Sequence, residues 1–186
     1  MELQRFQDAF LYASKLHETQ QRKISGIPYI AHLMGVSSLV MDDGGDTEEA
    51  IAALLHDAIE DQGGEATRVE IRRRYGERVV EIVNGCTDAE TMPKPPWRER
   101  KEKFIQSLAG ASSGVIRVCA ADKLDNIRSL ILLYETMGEG VWEAFKGKKE
   151  GTIWYYAEVT KALRARSDGR LVRALEKAVN DLQLMR

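Results

Sequence analysis

Three histidines occur in the chain, His17, His32 and His56, and His56 is followed directly by Asp57 within the apolar stretch AIAALLHDAIED. A polar pair set in an apolar helix is costly unless something compensates it, and a divalent cation would do so. At about 100° per residue, a continuous helix returns Glu60 to the His56 face and Asp61 to the Asp57 face. Carboxylates crowded in this way repel one another, whereas a cation favours their ionised forms. The His-Asp dipeptide alone has little specificity, and a solvated helix end with an ordinary satisfied histidine is the competing reading.

A second segment changes the balance. AADKLDN places Asp122 among Val118, Ala120, Ala121 and Leu124, an apolar neighbourhood that is unusual for an unpaired carboxylate. Asn126 and Ser129 follow at i+4 and i+7 on the same helical face, suited either to a ligand's polar atoms or to helix-to-helix hydrogen bonds. His32, in PYIAHLMGV, completes a set of two imidazoles and two carboxylates if its helix packs against the other two. Such a nitrogen and oxygen set suits manganese, ferrous iron, zinc or magnesium, with room for water. Mn²⁺ is our choice among them.

Apolar residues at helical spacing run through nearly all of the chain, which predicts an all-α fold with helices near 2–18, 28–41, 47–60, 67–75, 77–84, 97–109, 113–135, 139–146, 150–165 and 169–184. Asp46 with Glu49, and Thr67 with Glu70, fit helix-capping pairs, and Pro28 suits a first helical position. Gly44-Gly45, Gly63-Gly64, Gly76 and the Pro93–Pro96 run separate the patterns. The stretch 113–128 is β-branched enough at its start to imitate a strand, but its later spacing favours a long helix. With 186 residues and no low-complexity linker, the expectation is one domain over 1–186.

Apolar residues at 44% and charged residues at 30% form an ordinary globular balance instead of a disordered or membrane composition, and nothing in a net charge of -2 argues for a nucleic-acid-binding surface. A polyanion must therefore be met locally. Arg22 and Lys23 are the leading basic pair. Lys94, Arg98, Arg100 and Lys101 form a second cluster and Lys148 with Lys149 a third, although charge runs of this kind are usually a solvated helix face. Tyr29, Trp154 and Tyr155 suit either base stacking or packing. Cys86 and Cys119 are far apart in sequence, form no CxxC pair and read as reduced thiols. The amphipathic N-terminal segment lacks a signal peptide's apolar stretch and no segment could span a bilayer, so a cytoplasmic location is expected.

With its surroundings, this pattern resembles the HD-domain superfamily of metal-dependent phosphohydrolases, and within it the hydrolase domain of RelA/SpoT proteins and their small stand-alone forms, including metazoan SpoT homologues. The similarity runs over about residues 5–135, through HETQQRK, SGIPYIAH, AALLHDAIED, NGCTD and AADKLDNIRSL. The resemblance implies an HD-type helical bundle and Mn²⁺-dependent hydrolysis of the 3′-pyrophosphate of (p)ppGpp to GDP or GTP and pyrophosphate. It implies His32, His56, Asp57 and Asp122 as metal ligands and Glu60 and Asp61 as the acidic pair that orients or deprotonates the attacking water. Arg22, Lys23 and Asn126 match nucleotide-binding positions and Arg128 a supporting position near the substrate. Lys148 is our addition for the distal phosphates, while His17 is assigned structural duty.

Two positions depart from the family pattern. Leu33 follows the first metal histidine where Pro is common, and Asp125 stands where His or Tyr is frequent, adding negative charge beside the site. Beyond about residue 136 the resemblance fades, and no synthetase region is present. Other readings share the metal site: an HD phosphatase of another nucleotide, such as a nucleoside monophosphate or NADPH, or a catalytically silent nucleotide sensor. The partner implied in every case is a small nucleotide, with neither nucleic acid nor membrane.

Overall fold

The computed structural model describes residues 1–89 and 93–185. Ten α-helices occur among the described residues: α1 (Leu3–Leu16), α2 (Ile30–Asp42), α3 (Thr47–Leu55), α4 (Ala58–Asp61), α5 (Gly64–Tyr75), α6 (Glu77–Cys86), α7 (Trp97–Ser107), α8 (Ser113–Met137), α9 (Lys148–Arg166) and α10 (Arg170–Gln183). The β-pairing described is one isolated bridge between Gln21 and Pro28. The expected all-α class is therefore the observed one, and the strand-like start of 113–128 is helical.

The centre of the molecule is α8, a 25-residue helix whose apolar residues from Val115 to Leu130 are buried. Helices α2, α3, α6 and α10 pack on it, and Leu54, Leu55, Ile82, Leu124, Ile127 and Leu175 are almost wholly removed from water. Burying each such side chain contributes roughly 1.5–3 kcal/mol relative to leaving it exposed.

Helix α3 starts where expected. The Asp46 carboxylate accepts from the Glu49 amide at 3.0 Å, and Glu49 Oε2 accepts from the Asp46 amide at 3.1 Å, a reciprocal cap. Glu49 is buried, and Arg117 of α8 and Arg78 of α6 answer its charge.

Several expected boundaries shift. The helix expected over 47–60 breaks at His56-Asp57, so that α3 and α4 are separate elements with the expected metal-ligand pair in the joint. Asp57 has φ −99 and ψ −3, and its carboxylate turns to Tyr29 and His56 instead of following the helical row. Thr67 does not cap α5, which already begins at Gly64. Gly63, at φ 118, makes the turn that a side chain would strain, and Thr67 donates its hydroxyl back to the Gln62 carbonyl. Glu70 instead pairs with Arg73 and Arg74. Pro28 precedes α2 by two residues and lies in the bridge to Gln21. The segment expected as a helix over 139–146 is a tighter 3₁₀ coil over Gly138–Ala144.

Candidate metal centre

Three helical segments deliver the chemistry. His32 comes from the first turn of α2, His56 and Asp57 from the α3–α4 joint, and Asp122 from the middle of α8. His32 Nε2 lies 3.3 Å from Asp122 Oδ1 and 3.8 Å from Asp57 Oδ2. His56 Nε2 lies 3.0 Å from Asp57 Oδ2 and 3.6 Å from Asp122 Oδ1. His32, His56 and Asp57 each offer a ligand atom within 4.8 Å of the other two, a spacing that could hold a metal ion. Asp122 faces both imidazoles from the other side, and its oxygens also accept from Lys123 Nζ and Asn126 Nδ2 at 2.5 Å each.

The outer nitrogens determine which inner lone pairs are free. His56 Nδ1 faces the Ala53 carbonyl at 2.8 Å and so must carry the proton. His32 Nδ1 lies 2.6 Å from Asp125 Oδ2. Both Nε2 atoms are buried and face carboxylate oxygens without a well-directed hydrogen bond to them. Two such imidazole nitrogens aimed at two carboxylates are a donor set that fits a divalent cation. An outer carboxylate on a metal-ligating histidine fixes its tautomer and ring orientation.

The electrostatics agree. Burial by itself would depress the His56 imidazole, but Asp57 and Asp122 outweigh burial and hold it well above the usual histidine range. Burial would likewise raise Asp57, yet His56 holds it well below the ordinary carboxylate range. Asp122 is also held low, as Lys123 and both histidines overcome its burial. The cluster thus favours positive charge at its centre, which a divalent cation would supply.

The cluster opens into a cavity of about 230 Å³ lined by Tyr29, Asp57, Glu60, Asp61, Asp122 and Asn126 among others. Because the helix breaks, Glu60 and Asp61 do not form two regular rows with His56 and Asp57. Glu60 accepts from the Asp88 amide at 3.1 Å and from Lys94 Nζ at 2.6 Å. Asp61 accepts from Gln20 Nε2 at 2.8 Å, and burial followed by the Asp57 charge raises its pKa. Both carboxyl groups reach the same cavity as Asp57 and Asp122.

A second cavity, of about 230 Å³, adjoins the first through Tyr29 and Asn126 and is lined by Arg22, Lys23, Ser129, Phe145 and Tyr156. Arg22 Nη2 donates to Asn126 Oδ1 at 2.8 Å, which ties the basic cavity to Asp122 through a single side chain. Lys23 donates to the Ala144 carbonyl. Tyr29 donates its hydroxyl to Asp57 Oδ2 at 2.6 Å, so its place is beside the carboxylates.

Two residues expected near the substrate lie elsewhere. Arg128 is exposed and lines a surface cavity with Asp42, Arg170 and Leu171, between α2, α8 and α10. Lys148 is exposed at the start of α9 and pairs with Glu143 at 2.7 Å, while Lys149 pairs with Glu139 at 2.6 Å. Of the Pro-loop cluster, Lys94 reaches Glu60, Arg100 and Lys101 reach Asp88 at 2.6 Å, and Arg98 lies 3.2 Å over the Trp154 ring. His17 is buried, stacks on Tyr29 at 5.3 Å and holds Gln20 at 2.7 Å, so it positions the residue that holds Asp61. Cys86 and Cys119 are free thiols whose sulfurs lie 3.5 Å apart, a proximity that their sequence separation concealed.

Sequence reasoning missed the role of Asp125. Its spacing from Asp122, at i+3, was the available signal. Gly35 on α2 makes room for it, because a Cβ there would overlap Asp125 Oδ1.

An all-α frame with paired histidines and aspartates facing one cation site defines a class of metal-dependent hydrolytic folds, and the comparisons agree with it. The HD domain family matches residues 9–152, and the chain belongs to it. Among curated proteins, it is 38% identical over 130 residues to the guanosine-3′,5′-bis(diphosphate) 3′-pyrophosphohydrolase of Aquifex aeolicus, covering 69% of this chain and 18% of that one. It is 37% identical over 122 residues to the human guanosine-3′,5′-bis(diphosphate) 3′-pyrophosphohydrolase MESH1, covering 64% of this chain and 65% of the human one. The match therefore spans less than two thirds of either relative. A solved structure described as a metazoan ortholog of SpoT that hydrolyzes ppGpp superposes with a TM-score of 0.79 at 26% identity, covering 95% of this chain and 94% of that one.

Proposed function

We propose that this chain is a manganese-dependent pyrophosphohydrolase that removes the 3′-pyrophosphate of (p)ppGpp, yielding GDP or GTP and pyrophosphate in the cytoplasm. The observation that carries the reading is the pair of buried Nε2 atoms of His32 and His56 facing Asp57 and Asp122, two carboxylates that line a cavity adjoining a basic one. The activity of the relatives supports the choice of substrate.

In this proposal His32, His56, Asp57 and Asp122 hold the cation. Such a cation, when bound, supplies a Lewis acid for the phosphoryl oxygens and lowers the pKa of the attacking water. Glu60, anchored by Lys94 and the Asp88 amide, orients that water. Asp61 accepts its proton, and the raised Asp61 pKa makes it a better base than an ordinary aspartate. Arg22 and Lys23 meet the phosphates in the adjoining cavity, and Asn126 aligns the nucleotide with the carboxylate cluster. Arg128 and Lys148 stand outside both cavities and are given no role in the step.

The test is a nucleotide panel incubated with chelated and manganese-reloaded protein, with products separated by chromatography. Pyrophosphate and GDP released from ppGpp, lost on chelation and restored by Mn²⁺, is the expected result. Intact ppGpp with folded, metal-loaded protein would overturn it, and orthophosphate as the product would assign a phosphatase instead.

A further inference from the structure

The metal-side cavity has a second wall, built by α7, α8 and α9, where Lys101, Lys123 and Tyr155 meet. Lys101 Nζ and Lys123 Nζ lie 4.6 Å and 5.8 Å from the Tyr155 ring centroid. Each ammonium donates to one carboxylate oxygen, Lys101 to Asp88 Oδ2 at 2.6 Å and Lys123 to Asp122 Oδ2 at 2.5 Å. An ammonium carries three donors, so these bonds do not exhaust either lysine.

Tyr155 differs from its neighbours. The residue is 7% exposed, and its hydroxyl oxygen is buried without a hydrogen-bond partner. A phenol is a donor near neutral pH, and burial pushes its pKa higher still. Buried polar groups are ordinarily partnered, and a Phe would fill the same volume without desolvating a hydroxyl. The cavity also contains Asp57, Glu60, Asp61, Asp88 and Asp122, which would repel an anion unless cations stand beside it. Tyr155 lies past residue 152, where the family match ends.

We propose that Lys101, Lys123 and the Tyr155 hydroxyl form an anion subsite that takes a phosphoryl group beside the carboxylate cluster, with Tyr155 donating to a non-bridging oxygen. Phosphoryl oxygens only accept hydrogen bonds, which suits a wall made of two ammonium groups and an unsatisfied hydroxyl. The placement of this group at the reacting end of the substrate rests on the hydrolase reading. The chemistry of the ligand, a phosphate-class anion, does not.

The experiment compares wild type with Tyr155→Phe, using orthophosphate as the probe. Phosphate binding to the manganese-loaded protein is followed by paramagnetic broadening of the phosphorus resonance. In Tyr155→Phe the melting temperature should not fall and Mn²⁺ affinity should stay within about twofold, while phosphate affinity drops about tenfold, the scale of one hydrogen bond to a charged group. Turnover of ppGpp should fall by a similar factor. Lys101→Met should weaken phosphate as well, more at low than at high salt. Wild-type phosphate affinity in Tyr155→Phe, or no phosphate binding by the loaded wild type, would overturn the subsite. Tyr155-dependent phosphate binding with ppGpp left intact would remove the proposed function and leave the subsite standing.

Discussion

Asp125 holds His32: the carboxylate Oδ2 lies 2.6 Å from the imidazole Nδ1, across the α2–α8 interface and 93 residues along the chain. The residue that departs from the family pattern thus supplies the outer partner of a proposed metal ligand, and its negative charge is directed at His32. Outer partners of this kind typically contribute 10–100-fold to metal affinity. Asp125→Ala should therefore weaken Mn²⁺ binding by roughly 10–100-fold with the helical circular dichroism unchanged. Gly35→Ala should be destabilising in the wild type and much less so beside Asp125→Ala, because the added methyl meets that carboxylate. A double-mutant cycle in urea reads the coupling directly. Additive costs would mean that Gly35 serves some other purpose.

In the proposed site, metal and proton should compete at His56. Its folded pKa is raised by Asp57 and Asp122 against burial, so the protonated form stabilises the metal-free protein at pH below the unfolded value, and that stabilisation is lost as pH rises through the folded value. Asp57 has the opposite sign: its depressed pKa stabilises the fold above the unfolded carboxylate value and is lost on acidification. Loading with Mn²⁺ at neutral pH should then release about one proton per ion. Calorimetry in buffers of different ionisation heat measures this number. A heat independent of buffer would show that His56 is already neutral.

The two acidic residues after the His-Asp pair should separate kinetically. Glu60→Gln and Asp61→Asn should each lower kcat by about 10²–10⁴-fold without removing the metal. Asp61 is raised by burial and by Asp57, while the Gln20 hydrogen bond opposes that rise. Gln20→Ala should consequently move the acidic limb of the kcat/KM profile to higher pH. A limb that stays in place would argue against Asp61 as the proton acceptor.

Basic residues should divide by cavity. Arg22→Ala removes a guanidinium that lines the basic cavity and bonds Asn126, and should raise KM about tenfold or more. Arg128→Ala and Lys148→Ala alter exposed residues outside both cavities and should leave kcat/KM within about twofold. Equal losses from all three would indicate that the substrate reaches across α8.

Glu49 connects the fold to the site, since it closes the cap of the helix that leads into His56 while lying buried between Arg117 and Arg78. Glu49→Ala leaves Arg117 with Asp43 as its acidic partner and should cost about 3 kcal/mol in urea unfolding. A loss below about 1 kcal/mol would show that the pair contributes no more than an exposed one.

The sequence by itself determined what depends on near neighbours. The 3.6-residue apolar period marks the helices, Asp46 and Glu49 cap one of them, and the order of His32, His56-Asp57 and Asp122 identifies the family. The tertiary structure decided what depends on distant elements meeting. The break after Leu55 could not be read because AIAALLHDAIED is periodic throughout, and what bends it is Asp57 turning to Tyr29, 28 residues away. Asp125 on His32, Asn126 on Arg22 and the unsatisfied Tyr155 hydroxyl follow from how α2, α8 and α9 pack. Arg128 stands on the far side of α8 for the same reason. Local periodicity specifies which face of a helix a residue occupies, while the element that covers that face is settled by packing across the core.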